Sequence, residues 1–333
     1  MNDPAAPPAP SIDELLARAT DRGPLEHSDG KSGSTIERLV IDGEPYVLKT
    51  MHPDVDWITR VLGDLGCWPV RMWTSGLRND VPRVIDDTVV AVKPGQGRNG
   101  WGGMLLMRDV SPWLVPEGDD LVPPDDHLAF IDHMAALHAR FWGFDDTLGL
   151  LPLWGRYQFF GPGMIEVERA RGFTAAVPRL AAEGWDRLRT VDHPAVARVL
   201  ELVGDPSRLV EALAATPQTF VQGDWKMGNL GRHPDGRTIL LDWAYPGRAP
   251  ATYELAWYLG INSARLPQTK EETIGAYRAA LERHGIATGS WFDSQLALAL
   301  LGEMVLLGWE KALGGGPELA WWLDRAAQGL ARL

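Results

Sequence analysis

The feature that most constrains the fold of this chain is a set of three polar residues in its second half. Asp224 lies five residues before Asn229, and Asp242 follows Asn229 by thirteen residues. Turn-forming residues at 233–237 separate two short apolar runs between them. A proton acceptor and metal ligands must reach a transferred phosphorus from different sides, so they cannot all lie on one rigid helix. The spacing therefore predicts a loop followed by a hairpin, arranged as a phosphoryl-transfer site.

Length and composition predict a globular chain with two lobes. Its 333 residues, of which 45% are hydrophobic, exceed the size at which a single core usually divides. Charged residues make up 23% of the chain, which is typical of folded proteins. The net charge of -12 disfavours nucleic-acid binding, because that function needs a basic surface. An acidic surface can favour a cationic substrate, but its commonest meaning is solubility.

The sequence also predicts a cytoplasmic protein. Cys67 is the only cysteine, which excludes an intramolecular disulfide and a structural zinc site built from several cysteines. Residues 1–10 are rich in proline and alanine without a basic patch or an apolar core, so we expect a disordered lead and not a secretory signal. The apolar stretch 296–309 is too short to span a bilayer and contains Glu303. We therefore expect no membrane partner.

The first third of the chain has the pattern of a β-rich unit. A short amphipathic helix is predicted at 11–20, followed by a loop of small residues at 29–35. Two apolar runs, 36–41 and 46–49, flank Asp42-Gly43, a dipeptide that is typical of a tight hairpin turn. The pattern therefore predicts a loop, a strand, a hairpin and a second strand.

Lys49 ends the second of these strands. A lysine at the end of a strand is usually a surface residue, but this one follows the small-residue loop and precedes the Asp/Asn/Asp set, as a lysine that reaches nucleotide phosphates would. The loop itself is a weak signal. Gly30-Lys31-Ser32 is similar to the end of a Walker motif, but Leu25 stands where the first glycine would have to be, so that pattern fails.

Further elements divide the chain into two predicted lobes, 11–109 and 110–333. A polar break before Ser111-Pro112 marks the boundary, and helical periodicity prevails beyond it. The predicted helix at 124–142 places Leu128, Ile131, Met134, Ala135 and His138 on a buried face. The remaining predictions are a helix at 56–65, strands at 81–92 and 103–109, and helices at 178–189, 194–203, 270–284, 294–313 and 318–333.

The motifs of the second lobe resemble those of the aminoglycoside phosphotransferase and choline kinase-like family. Members usually show His-Gly-Asp, an asparagine five residues after that aspartate, Ile-Asp-Trp or similar, a glycine, and Asp-Leu-Ala. This chain has Gln222-Gly223-Asp224, Asn229, Leu241-Asp242-Trp243, Gly247 and Glu254-Leu255-Ala256. The resemblance runs from about residue 30 to residue 259, and its catalytic part is the specific one.

The resemblance implies an α+β chain with the bilobal protein-kinase-like fold, a small β-rich N-terminal lobe and a larger, mainly helical C-terminal lobe. It implies transfer of the γ-phosphoryl group of ATP, with Mg²⁺, to a hydroxyl of a small molecule. Asp224 would receive or orient the hydroxyl proton. Lys226 gives the pattern Asp-x-Lys-x-x-Asn, which is familiar from protein kinases and less usual in this family, and it could contact the γ-phosphate or remain a solvated loop lysine. Asn229 and Asp242 would bind magnesium. The nucleotide would contact Lys49, Ser34 and the strand end from Met107 to Asp109.

Three departures from the family pattern have structural consequences. Gln222 replaces a histidine that braces the catalytic loop, and an amide can also donate and accept hydrogen bonds. Glu254 replaces the aspartate of the last motif and has a longer reach. The glutamate that pairs with the phosphate-binding lysine is missing. Of the nearby carboxylates Asp54, Asp56 and Asp64, we expect Asp64, on the predicted helix, to pair with Lys49.

Other chemistries have weaker support. The sequence has no His-Glu-x-x-His motif, and His133 and His138 are more typical of packed helix residues than of metal ligands. It has no Gly-x-Ser-x-Gly nucleophile motif. Among its 15 tryptophans, Trp243 and the Trp257-Tyr258 pair are candidates to line a substrate cleft.

The sequence leaves the acceptor open. An antibiotic, in which case the function would be antibiotic resistance, a sugar, an amino alcohol and a nucleoside-like product all remain candidates, and so do a monomer and a homodimer. A nucleotide-binding pseudokinase with a regulatory or scaffolding role is the alternative from another class. Gln222 and the missing glutamate favour that alternative, whereas Asp224, Asn229 and Asp242 oppose it.

Overall fold

A computed structural model describes residues 10–25 and 32–333. Most of the predicted lead and the residues Gly30 and Lys31 of the small-residue loop lie outside the described residues. The strands are β1 (Ala19–Pro24), β2 (Thr35–Ile41), β3 (Glu44–Met51), β4 (Ile85–Asp87), β5 (Val89–Pro94), β6 (Gly103–Arg108), β7 (Gln218–Val221), β8 (Leu230–Arg232), β9 (Thr238–Leu240) and β10 (Gly247–Pro250).

The helices follow mainly after the first sheet. They are α1 (Ile12–Leu16), α2 (Trp57–Leu62), α3 (Trp68–Thr74), α4 (Pro124–Arg140), α5 (Leu153–Gln158), α6 (Pro162–Ala170), α7 (Ala176–Leu188), α8 (Ala195–Gly204), α9 (Ser207–Ala214), α10 (Ala251–Ile261), α11 (Lys270–Arg283), α12 (Phe292–Gly314) and α13 (Gly316–Leu330). The predicted α+β fold, with a small antiparallel sheet and a larger helical part, is confirmed.

The N-terminal sheet has the strand order β1-β2-β3-β6-β5, and all its neighbours are antiparallel. The β2–β3 hairpin turns at Asp42 and Gly43, which have φ angles of 52° and 89°. Positive φ at both central residues matches the right-handed twist of the flanking strands, which is why Asp-Gly is favoured there. The predicted hairpin is confirmed, and it presents Lys49 between Ile36 and Leu105 of the neighbouring strands.

Two predicted helices are shorter than expected. Ser11 caps α1 through reciprocal hydrogen bonds with Glu14. The helix ends at Leu16 and β1 begins at Ala19, so the predicted end of this helix at residue 20 is wrong. The predicted helix at 56–65 begins with Asp56 as its cap and ends at Leu62, because Gly63 adopts a left-handed conformation with a φ of 69°.

The predicted strand at 81–92 is divided between two sheets. β5 joins the N-terminal sheet, whereas β4 pairs in parallel with β9, whose other neighbour is β8. β4 precedes the predicted lobe boundary and β9 lies far beyond it, so this pairing joins the two parts of the chain two residues before Asp242. β7 and β10 form a separate antiparallel pair.

The helical part contains the larger core. α10 is buried along nearly its whole length, and α12 packs against α7, α10 and α13. In α4, Ile131, Met134, Ala135 and His138 are buried as predicted, whereas Leu128 is exposed. Among the described residues, no helix is long and apolar enough to cross a membrane.

An ion pair attaches α2 to the helical part. Arg60 donates from Nε and Nη2 to Glu168 at 3.0 and 2.9 Å, and Glu168 is fully buried. Trp57 at the start of α2 stacks on Phe159, with ring centroids 5.7 Å apart. A bidentate arginine–carboxylate contact combines charge with fixed geometry. α2 is therefore held by the helical part at the edge of the cleft described next.

Candidate active site

A cleft of about 440 Å³ lies between the N-terminal sheet and the residues that follow β7. With one exception, the predicted site residues line it. They are Ser34, Lys49, Met107, Asp109, Asp224, Lys226, Asn229 and Asp242. The exception, Asp64, lines a separate void of about 20 Å³.

The candidate catalytic loop, residues 223–229, begins at a glycine that no other residue could replace without strain. Gly223 has a φ of 90°, in the left-handed region. A Cβ atom there would lie 2.2 Å from the carbonyl oxygen of Tyr245 and 2.6 Å from Nη1 of the buried Arg156. Close packing on both sides therefore fixes the position of the peptide that leads into Asp224.

Asp224 is buried, with one carboxylate oxygen engaged and the other without a hydrogen bond. Its Oδ2 accepts from Asn229 Nδ2 at 2.9 Å and lies 3.3 Å from Lys226 Nζ. Its Oδ1 is buried and has no hydrogen-bond partner among the described residues. Burial raises the pKa of Asp224 to about 6; the charge of Asp242 raises it further, while Lys226 opposes the shift. Oδ1 is therefore a buried acceptor that lacks a donor, on a carboxylate whose pKa is raised.

Asn229 is oriented by the same carboxylate. Its Nδ2 donates to the backbone carbonyl of Asp224 at 3.0 Å as well as to Oδ2. Both bonds use the amide nitrogen, so the amide oxygen is the atom that Asn229 can offer to a metal. Leu241 donates its backbone N–H to the carbonyl of Asn229 at 2.9 Å, which ties the loop to the hairpin.

Asp242 occupies a strained backbone conformation beside the candidate catalytic loop. Its φ is 52°, an uncommon value for a residue other than glycine and one often found at functional sites. Its Oδ1 lies 2.8 Å from Nζ of the buried Lys49, so the two predicted ligands of the nucleotide complex form an ion pair.

Gln222 braces both acidic residues. Its Nε2 donates to the carbonyls of Leu241 and Asp242, at 3.1 and 2.6 Å, and its Oε1 accepts from the backbone N–H of Asp224 at 2.7 Å. An amide can make both kinds of bond at once. The glutamine thus forms the hydrogen-bonded link that the resemblance assigns to a histidine.

Asp64 does not pair with Lys49, which corrects the sequence-based expectation. Because α2 ends at Leu62, Asp64 lies in the turn beyond it, and both its oxygens accept the backbone N–H of Trp68, at 3.0 and 2.8 Å. Burial raises its pKa to about 6. Asp64 and Lys49 line the same 20 Å³ void, but no ion pair joins them in the described part of the chain.

The remaining nucleotide candidates lie at the sheet side of the cleft. Ser34 donates its hydroxyl to Asp56, whose other oxygen caps α2 by accepting from Thr59. The carboxylate of Asp109 pairs with Arg38 Nε at 2.9 Å. The backbone N–H groups of Arg108 and Asp109 donate to the carbonyls of Thr88 and Pro45. An adenine contact at these two residues would therefore have to use carbonyl oxygens.

Some residues of the site have a signal in the sequence and others have none. Glu254 accepts the backbone N–H of Gly223, and the family motif indicated its position. Asn262 accepts the backbone N–H of Met227 at 2.8 Å, and nothing in the sequence indicated it. Trp243 lines the cleft as predicted, whereas Trp257 and Tyr258 are buried in α10 and are not among the residues that line it.

The two histidines are packed residues, as predicted. His133 Nδ1 lies 2.7 Å from the hydroxyl of Thr238, and burial lowers its pKa to about 4. His138 is fully buried and contacts Glu254, 116 residues away in the sequence.

Comparison with known proteins identifies the fold. No protein-family model matches the chain, and no curated protein matches it. Among solved structures, choline kinase LicA from Streptococcus pneumoniae aligns with 96% of this chain and 95% of its own, at 12% identity and a TM-score of 0.52. The chain shares its fold. The microcompartment-associated aminopropanol kinase aligns with 93% of this chain and 91% of its own, at 16% identity and a TM-score of 0.50.

A second structure of LicA, in complex with AMP, aligns with 94% of this chain and 92% of its own, at 11% identity and a TM-score of 0.50. These alignments cover both the sheet and the helical part. The predicted resemblance is therefore confirmed at the level of the kinase-like bilobal fold.

Proposed function

We propose that this chain is a phosphotransferase of the aminoglycoside phosphotransferase and choline kinase-like family. It would move the γ-phosphoryl group of ATP, in the presence of Mg²⁺, to a hydroxyl of a small molecule. The observation that carries the proposal is the arrangement of Asp224. Its Oδ1 has no hydrogen bond among the described residues, while its Oδ2 is held by Asn229 beside Asp242. A carboxylate with one oriented oxygen and a second, buried oxygen that still lacks a donor suits a reaction in which positioning supplies most of the rate.

The residues that face the cleft fit a nucleotide with magnesium. The amide oxygen of Asn229 and the carboxylate of Asp242 are hard oxygen donors, and Mg²⁺ usually binds through one or two carboxylates together with phosphate oxygens. When bound, the ion would neutralise charge on the phosphates. The AMP complex of LicA supports nucleotide binding by this fold, and in this chain Lys49, Ser34 and the Met107–Asp109 strand end would contact the nucleotide.

Asp224 would accept the proton of the acceptor hydroxyl. Lys226 Nζ lies 3.3 Å from Asp224 Oδ2 and lines the cleft, so it can hold that carboxylate and also approach a γ-phosphate. A fixed positive charge near the transferred group stabilises the negative charge that spreads over its oxygens.

We further propose that residues 11–109 form the nucleotide lobe and 110–333 the catalytic and substrate lobe of a cytoplasmic monomer or homodimer. The acceptor remains a class, a small molecule with a hydroxyl. The names of the two similar kinases make choline and aminopropanol the first members of a test panel, followed by sugars, nucleosides and hydroxylated antibiotics.

The test is ATP consumption by the full chain on this panel with Mg²⁺. Acceptor-dependent ADP formation by the parent, lost in Asp224→Asn, is the expected result. A nucleotide-binding pseudokinase is the second candidate, since Lys49 pairs with Asp242 and α2 supplies it no carboxylate among the described residues. Magnesium-dependent ATP binding by a parent that phosphorylates no panel member would favour that candidate. Absence of ATP binding would overturn both.

A further inference from the structure

A buried network of hydrogen bonds runs from α11 through α4 and α10 to the candidate catalytic loop. The hydroxyl of Tyr277 contacts His138 Nδ1, and His138 Nε2 lies 2.8 Å from Glu254 Oε2. The other oxygen of Glu254 accepts the backbone N–H of Gly223. Tyr277, His138 and Glu254 are each 0% exposed. This hydrogen-bonded network therefore links three helices, α11, α4 and α10, to the residue immediately before Asp224.

We infer that His138 is a positioning residue for Asp224, an inference that rests on the proposed function. The imidazole holds Glu254 in the orientation in which its second oxygen meets Gly223. A buried carboxylate needs a partner for each oxygen, because burial without hydrogen bonds is costly. Without His138, Glu254 would lose one of its two partners, and the peptide of Gly223 would lose its fixed acceptor.

The position of Gly223 sets that of the base. Gly223 packs closely against Tyr245 and Arg156, and its peptide is joined directly to Asp224. A shift of the Gly223 peptide therefore also moves Asp224. Displacing a reacting group by about 1 Å can cost on the order of 10²-fold in rate. Loss of the His138 contact should therefore lower kcat and leave nucleotide binding, which depends on other residues, nearly unchanged.

The chain offers a matched control on the same helix. His127 is also fully buried on α4 and also bonds through Nδ1 to a tyrosine, Tyr258, at 2.9 Å. Its Nε2 lies 3.3 Å from the hydroxyl of Thr273, and no hydrogen bond joins it to Glu254 or Gly223 in the described part of the chain. His127→Leu should thus disturb packing and hydrogen bonding as His138→Leu does, without touching Gly223.

The test is amide hydrogen exchange of the full chain, without ligand, in fragments that span residues 221–226. His138→Leu should accelerate exchange at Gly223 at least tenfold, while His138→Gln, whose amide can still donate to Glu254, should retain most of the protection. His127→Leu should leave this fragment at the parental rate. Tyr277→Phe, which keeps the ring, provides a second variant if His138→Leu does not fold, and it should accelerate exchange to a smaller degree.

Unchanged exchange at Gly223 in His138→Leu, or equal acceleration in His127→Leu, would overturn the inference. Because exchange requires no turnover, this outcome is separate from failure of the proposed function. Where the panel yields an acceptor, His138→Leu should lower kcat by ~10–100-fold with the KM for ATP unchanged, and His138→Gln should restore it. A change in KM alone, or no recovery in His138→Gln, would contradict the positioning role.

Discussion

Lys49 Nζ and Asp242 Oδ1 are 2.8 Å apart, so the residue expected to contact phosphates neutralises the residue expected to bind magnesium. Binding of a nucleotide with its metal would have to exchange this ion pair for two new ones, one between Lys49 and phosphate and one between Asp242 and the metal. The exchange keeps both charges compensated, which matters because Lys49 is buried. Nucleotide and metal binding should therefore be strongly coupled.

Replacing Asp242 with Ala should abolish this coupling. The variant loses a metal ligand and also frees Lys49, so its ATP affinity should fall at least tenfold in Mg²⁺ and should change little when Mg²⁺ is replaced by EDTA. Calorimetric titration with ATP under both conditions measures the effect. Asp186→Ala, which removes an exposed carboxylate from α7, serves as the control. Equal magnesium dependence in parent and variant would remove Asp242 from the metal site.

Replacing Asp224 with Asn should separate chemistry from binding. The amide preserves the shape of the side chain, and Asp224 is expected to face the acceptor hydroxyl and not the metal, so ATP affinity in Mg²⁺ should stay within a few-fold of the parent. Turnover should fall on the order of 10²–10⁴-fold, or roughly 3–5 kcal/mol of transition-state stabilisation. Steady-state rates with an acceptor from the panel test this, and parental kcat in the variant would refute the assignment.

The raised pKa of Asp224 predicts an acidic limb in the pH profile. Burial, aided by the charge of Asp242, raises this pKa from 3.8 to about 6, and only the ionised form can accept the hydroxyl proton. The value of kcat/KM should therefore rise about tenfold per pH unit below pH 6 and level off above pH 6. The measurement is kcat/KM for the acceptor between pH 4.5 and 8.

Lys226→Met sharpens this prediction. Lys226 lowers the pKa of Asp224, so its removal should move the limb to higher pH. A limb that stays in place, or one that is absent in the parent, would mean that the titrating group is not Asp224. Lys270→Met, a substitution at the start of α11, provides a control in which the limb should not move.

The sequence predicted which residues line one cleft better than it predicted the supporting framework. Asp224, Asn229 and Asp242 come together through short, fixed spacings within one loop and one hairpin, and such local geometry is visible in sequence. The β2–β3 hairpin was equally accessible because Asp42-Gly43 selects one turn type. Local chemistry decides these features, so the residues alone suffice to predict them.

The missed features depend on distant contacts. α10 is buried along nearly its whole length, so it lacks the apolar stripe that marks an amphipathic helix, and its sequence did not predict a helix. The contact between His138 and Glu254 joins residues 116 positions apart. The expected pairing of Asp64 with Lys49 failed because Gly63 ends the helix before Asp64 and redirects the chain. None of these outcomes follows from periodicity or spacing.

A buried carboxyl in α12 predicts how stability depends on pH. Glu303 is 2% exposed, and its Oε1 has no hydrogen-bond partner among the described residues. Burial raises its pKa from 4.5 to about 8; the charge of Glu310 adds to the shift and that of Lys311 opposes it. The folded state thus keeps a proton that the unfolded chain loses. This group's contribution to the free energy of unfolding is fully present below about pH 4.5 and is lost as the pH rises through 8.

Glu303→Gln should remove this dependence, because the amide stays neutral at every pH. The free energy of unfolding of the variant minus that of the parent should therefore increase from pH 5 to pH 9, by on the order of 2–5 kcal/mol. Urea denaturation at both pH values measures it. Glu183→Gln, on the exposed face of α7, should show no comparable change. A constant difference between Glu303→Gln and the parent across this range would mean that Glu303 is already ionised in the folded protein at pH 5.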